Sequence, residues 1–220
     1  MYKACIFDLD GTLTDTLESL TYSVNLTLEE LGLQPITHQQ CKDFVGSGAR
    51  KLIERSLQAA GDEKAERIEQ AMETYGRIFK KHCTYQVAPY DGIVEMLTEL
   101  KDQGVKLAVL SNKPHLQTKD VVHTFFDEGV FTCVMGQQEH IPRKPDPAAV
   151  WMILEKLGVT KGECLYIGDS DVDMQTGAAA GVDTVGVTWG FRTEEVLIRN
   201  GATYIVNQAE EIISIVKGAE

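Results

Sequence analysis

The chain has 220 residues, 43% hydrophobic and 25% charged, which suits a soluble globular protein of one large domain or two small ones. A formal net charge of -12 argues against nucleic acid and anionic membranes as partners, and any anionic substrate has to be attracted locally. The five cysteines (Cys5, Cys41, Cys83, Cys133 and Cys164) are scattered with no Cys-x-x-Cys pair, so we expect neither a disulfide framework nor a zinc site, but reduced thiols in a cytoplasmic protein.

Ala4 to Phe7 form an apolar run without polar alternation, the pattern of a strand buried on both faces in a parallel sheet. Asp8, Leu9, Asp10 and Gly11 follow, with Thr12 and Thr14 beyond. Residues two apart in a strand share a side, so two carboxylates crowd together where this strand ends. Like charges that close repel unless a cation or proton sits between them.

The pattern then becomes helical. Leu17, Leu20, Val24, Leu28 and Leu31 recur at helical spacing, and Gly32 is a natural stop. A second helix is expected from about Thr37, and a loop at Val45-Gly46-Ser47-Gly48. A third helix carries Leu52, Ile53 and Leu57, and a fourth runs from about Asp62 to His82 with Ile68, Met72, Tyr75 and Phe79 on one stripe. Strands and helices alternate afterwards. Strands are expected at Val105 to Leu110, Phe131 to Met135, Cys164 to Ile167, Thr184 to Val187 and Tyr204 to Val206. Helices are expected at Asp91 to Gln103, Pro114 to Phe126, Pro147 to Leu157, Val172 to Ala180, Thr193 to Arg199 and Ala209 to Lys217. Repeated strand-helix units imply the α/β class: a Rossmann-like parallel sheet flanked by helices. Residues 1-15 and 85-220 then form an α/β core domain, and 16-84 a helical domain inserted after the first strand. No segment has the length and apolarity of a membrane helix, and no signal peptide is expected.

In open α/β sheets ligands bind beyond the carboxyl ends of the strands. Four such ends carry chemistry here. The first delivers Asp8 and Asp10. The second ends in Ser111-Asn112-Lys113, where a hydroxyl and backbone amides are expected to lead into a helix N-terminus suited to an anion. The loop after the third carries Lys144, stiffened by Pro145 and Pro147. The fourth ends in Gly168-Asp169-Ser170-Asp171-Val172-Asp173. Each alone has a plain structural explanation, as a cap, a solvated charge or an acidic helix start. Together they suit phosphate chemistry. Asp8, Asp10 and Asp169 offer hard oxygen ligands for Mg²⁺, and Lys144, Ser111 and backbone amides suit phosphoryl oxygens. One carboxylate can attack phosphorus while another moves protons.

These four motifs, in order and spanning nearly the whole chain, resemble those of the haloacid dehalogenase superfamily. The resemblance implies that Asp8 is a nucleophile forming a phosphoaspartate and Asp10 the general acid and base. It implies that Mg²⁺ is held by Asp8, the Asp10 backbone carbonyl and Asp169, with Asp173 close to the metal waters or to Lys144. Insertion of the helices just after the first motif resembles the subfamily with a small helical cap, and its phosphoglycolate phosphatase-like branch in particular. Phe44-Val45-Gly46-Ser47-Gly48-Ala49 is similar to that branch's cap substrate loop, and Val187-Thr188-Trp189-Gly190-Phe191 to its segment after the fifth core strand. Gly48 is thereby a candidate to contact substrate; Arg50 and Lys51, just past that loop, are placed to reach an acidic substrate group, and Thr12 is a candidate at the phosphate or beside Asp10. The expected activity is Mg²⁺-dependent hydrolysis of a small phosphorylated metabolite by a monomer or homodimer. Three alternatives stand beside it: a phosphosugar mutase of the β-phosphoglucomutase kind, a receiver-type signalling domain, and a family member kept as a non-catalytic regulatory protein.

Overall fold

The computed structural model describes residues 1–218. In chain order it has β1 (Ala4–Phe7), β2 (Thr14–Asp15), α1 (Leu17–Glu30), α2 (His38–Phe44), α3 (Ala49–Ala59), α4 (Ile68–His82) and β3 (Ala88–Pro89). It continues with α5 (Ile93–Asp102), β4 (Lys106–Pro114), α6 (His115–Phe125), β5 (Cys133–Gln137), α7 (Ala148–Leu157) and β6 (Cys164–Gly168). It closes with α8 (Asp171–Ala180), β7 (Asp183–Val187), α9 (Glu194–Arg199), β8 (Tyr204–Val206) and α10 (Glu210–Lys217). Among the described residues no helix is long and apolar enough to cross a membrane.

The main sheet has the order β5-β4-β1-β6-β7-β8. Its strands are all parallel, with Ala4 to Phe7 in register with Lys106 to Val109 on one side and Cys164 to Ile167 on the other. β1 is completely buried because helices cover both faces. Its side chains alternate between two cores. Cys5 and Phe7 join a cluster with Leu97 of α5, Val121 of α6 and Ile212 of α10. Ala4 and Ile6 join one with Val150 and Ile153 of α7. The chain leaves β1 for β4 on one flank and later returns to β6 on the other. A crevice therefore opens at the C-terminal end of β1, where the strand order switches.

Helices α1 to α4 build a third core, in which Leu20, Val24 and Leu28 meet Leu52, Leu57, Tyr75 and Phe79. Thr37 caps α2 with a reciprocal box to Gln40. Two departures from the sequence expectation stand out. The fourth helix begins at Ile68, not near Asp62, because the Asp62 carboxylate accepts the Glu66 and Arg67 amides while Ala65 takes a φ of 48°. These bonds stabilise a turn in place of an earlier helical start. The strand expected to stop at Leu110 continues to Pro114, across an irregularity in its pairing with β5. Ser111, Asn112 and Lys113 thus sit on a strand extension, and that extension leads directly into α6, whose cap is Pro114. A short antiparallel ladder, Thr14 to Pro89 and Asp15 to Ala88, ties together the two segments that join the helical region to the sheet.

Candidate active site

A cleft lies at the switch point. Asp8, Asp10, Ser111, Lys113 and Asp169 line its sheet side, and Leu20, Val45, Leu52, Tyr75 and Phe79 line its helical side. Asp8 directly follows β1, held by its backbone N–H to the carbonyl of Ile167 at 2.9 Å. Its Oδ1 accepts the Leu9 amide at 2.7 Å and lies 2.9 Å from Lys144 Nζ. Lys144 Nζ also donates to Asp173 Oδ1 at 2.7 Å. The remaining capacity of Asp173 is taken by the Ser170 amide at 3.2 Å, the Ser170 hydroxyl at 2.6 Å and the Tyr166 hydroxyl at 3.3 Å. Asp173 is the third residue of α8 and Ser170 is its cap, so the helix start that holds this carboxylate is itself a capping box.

Asp169 follows β6. Its Oδ2 accepts the Phe191 amide at 2.7 Å and its Oδ1 the Thr12 hydroxyl at 3.3 Å. A side chain at Gly11 or Gly190 would run into this carboxylate, and Gly11 also takes a φ of 83°. The chain therefore keeps space clear around Asp169. Oxygens of Asp8, Asp169 and Asp173 come within 4.8 Å of one another. Burial, and then the Asp173 charge, push Asp169 up to about 7. The same two causes hold Asp8 well above the usual carboxylate range, against the opposing pull of Lys144. Burial disfavours the Lys144 cation, but Asp173 and Asp8 outweigh it and hold its pKa well above the ordinary value. A buried cluster of hard oxygen donors under this strain fits a divalent cation such as Mg²⁺. Asp8 and Asp169 are the side chains with capacity to bind one directly, because Asp173 is already engaged by Lys144 and Ser170.

Other expected site residues fall differently. Asn112 does not offer its amide to the cleft. It donates to the Gly46 carbonyl at 3.0 Å and the Lys144 carbonyl at 3.1 Å, and accepts the Lys144 amide at 3.0 Å. It is a strut between the helical loop and the Lys144 loop. Thr12 serves Asp169 and not Asp10. Arg50 does not line the cleft; it is paired on the surface with Glu69 of α4 at 2.5 Å. Gly48 lines the cleft where α3 begins, and Ser111 lines its floor and accepts the Lys113 amide at 3.2 Å. Asp171, given no role by the sequence, faces Arg192 at 3.5 Å.

Lys113 was not singled out as a site residue. Its Nζ lies 2.6 Å from Asp10 Oδ1, and 5.1 Å from the centre of the Phe79 ring. A signal for it existed. Had β4 been extended past Leu110, Ser111 and Lys113 would fall two apart and hence on one side. Arg192 was missed too. It donates to the Lys42 and Val45 carbonyls, each at 2.7 Å, where α2 ends. With Asn112 on Gly46 and Arg143 on Ser47 at 3.5 Å, side chains from the sheet region hold residues 45–47 of the loop at the cleft.

The model of the family described as haloacid dehalogenase-like hydrolase matches residues 5–187. A phosphoglycolate phosphatase of Colwellia psychrerythraea is 31% identical over 220 residues, covering 98% of this chain and 97% of that protein. A phosphoglycolate phosphatase of Rhodospirillum rubrum is 35% identical over 202 residues, covering 89% and 83%. The crystal structure of a predicted phosphoglycolate phosphatase from Haemophilus somnus superposes with a TM-score of 0.90 at 26% identity, covering 97% of each chain.

Proposed function

The chain belongs to the haloacid dehalogenase-like hydrolase family, and on that premise we propose that it is a phosphatase hydrolysing a small phosphomonoester of the phosphoglycolate type through a phosphorylated Asp8. The observation that carries this reading is the Asp8 carboxylate. It is buried at the end of β1, fixed through Oδ1 by Lys144 and the Leu9 amide, and lies in one cleft with Asp10 and Asp169. Relatives named phosphoglycolate phosphatase support the substrate class.

In the first half-reaction an Asp8 oxygen bonds to phosphorus while the bond from phosphorus to the leaving oxygen breaks. Asp10 gives its proton to that oxygen, which departs as an alcohol. In the second, Asp10 takes a proton from water, the water oxygen bonds to phosphorus, and the bond to Asp8 breaks. Asp8 is restored and inorganic phosphate leaves. Lys144 and the Ser111 hydroxyl meet charge on the phosphoryl oxygens, and Lys113 keeps Asp10 in place. Mg²⁺, held by Asp8, the Asp10 backbone carbonyl and Asp169, would neutralise phosphate and carboxylate charge. Residues 16–84 act as a cap over the core formed by 1–15 and 85–220, and its apolar wall excludes water during transfer.

The test is turnover of p-nitrophenyl phosphate with Mg²⁺. Asp8→Asn should abolish it, and an unchanged rate would sink the mechanism. Asp10→Asn should still form phosphoenzyme from this activated leaving group but release phosphate slowly.

A further inference from the structure

A carboxylated leaving group needs a cation to meet it, and the helical wall of the cleft supplies none. Leu20, Val45, Leu52, Tyr75 and Phe79 carry no charge there, and Arg50 is committed to Glu69. On the sheet side, Lys144 is shared between Asp8 and Asp173. Arg192 is occupied by the Lys42 and Val45 carbonyls and Asp171. Lys113 differs. Its ammonium has three donors, and its ionic partner among the described residues is Asp10 alone, at 2.6 Å. Its side chain is 1% exposed yet lines the cleft beneath the Phe79 ring.

We infer that Lys113 binds a carboxylate of the leaving group, so that the site selects phosphomonoesters of 2-hydroxy carboxylic acids. The inference rests on the phosphatase reading above and adds the residue that reads the substrate. The geometry follows from Asp10. A general acid has to reach the bridging oxygen at about 2.6–3.2 Å. In a phosphorylated 2-hydroxy acid the carboxyl carbon is separated from that oxygen by a single carbon. An oxygen held by Asp10 therefore brings the carboxylate beside the cation that Asp10 itself binds. A longer acid would push its carboxylate onto the apolar wall, where an unpaired charge is costly to bury.

The experiment compares kcat/KM for 2-phosphoglycolate and ethyl phosphate, which share a skeleton and differ in the carboxylate. The wild type should prefer phosphoglycolate. Lys113→Met should lower that preference by about 10- to 100-fold, the range expected for a lost hydrogen bond to a charged group, and chiefly through KM. Lys113→Arg should retain most of the preference, and serves as the informative variant if Lys113→Met does not fold. Arg50→Ala should leave the ratio unchanged. An equal loss on both esters in Lys113→Met would overturn the inference, since Lys113 would then act through Asp10 alone. So would collapse of the ratio in Arg50→Ala, or wild-type hydrolysis of both esters without preference; each leaves the phosphatase reading standing. Hydrolysis of neither ester by the wild type overturns that reading and the inference together.

Discussion

Asp169 concentrates the electrostatic tension of the site. Its folded pKa, about 7, stands above the ordinary 3.8 because burial and Asp173 oppose its charge. A raised carboxyl pKa means that the folded protein binds the proton more tightly than the unfolded chain. Stability must therefore fall as pH rises between these two values, and Asp8, shifted the same way, adds to the slope. Thermal melts in chelator should show this fall, Mg²⁺ should reverse it near neutral pH, and Asp169→Asn should flatten the profile. A flat wild-type profile would contradict the assigned direction. Thr12 offers a finer probe, since its hydroxyl orients the Asp169 carboxylate. Thr12→Val should weaken Mg²⁺ activation by about 10-fold, at the lower end of the 10–100-fold typical of groups that orient metal ligands, as measured by titrating activity against Mg²⁺. Asp8, Asp10 and Asp169 were legible as candidates because each follows a strong apolar run that marks a strand end, and Lys144 because prolines stiffen the loop that carries it. Thr12 could not be assigned correctly, because its partner lies 157 positions away.

At the scale of elements, the extension of β4 matters most. By running to Pro114 it aims one residue of the Ser-Asn-Lys run into a loop-bridging role and another at Asp10. Periodicity predicted the strand but not its end, because polar residues continue it only where β5 pairs with it again. The α2 terminus is the matching device on the helical side. A seven-residue helix has few internal bonds, and the carbonyls at its end are met by Arg192 of the segment after β7. Arg192→Met should raise KM by about 10-fold or more, from the loss of charge-assisted bonds, with a smaller change in kcat and an intact cooperative melt. Steady-state kinetics and a thermal scan distinguish this from misfolding. If KM stays unchanged, the clasp has no part in substrate retention.

On the scale of the whole molecule, two sheet-flanking cores and a separate helical core meet across the cleft. The short β2–β3 ladder joins them at one end, and the contacts of Asn112, Arg143 and Arg192 join them at the other. Apart from Phe191, which packs against the helical core, these contacts are polar, and the expected motion is opening and closing about the β2–β3 ladder. Solution scattering should report a more compact particle on adding Mg²⁺ and a phosphate transition-state mimic. The combined Asn112→Ala and Arg192→Met variant should be more expanded than the wild type before addition. Identical profiles throughout would argue against closure. Phe79 tests the coupling of packing to chemistry, since it is buried in the helical core and covers Lys113. Phe79→Ala should destabilise the protein by about 3 kcal/mol or more, measured by denaturant unfolding.

The amino-acid sequence by itself determined the parallel sheet, the helical insertion and the strand ends that carry the candidate site carboxylates. Those features follow from local periodicity, turn residues and the order of apolar runs, all of which act over a few neighbours. Tertiary structure alone decided which polar groups meet. Asn112 became a strut, Arg50 a surface partner of Glu69, Thr12 a support for Asp169, and Lys113 the companion of Asp10. A hydrogen bond or ion pair depends on distances of a few ångströms between segments far apart in the chain, and no local pattern encodes them.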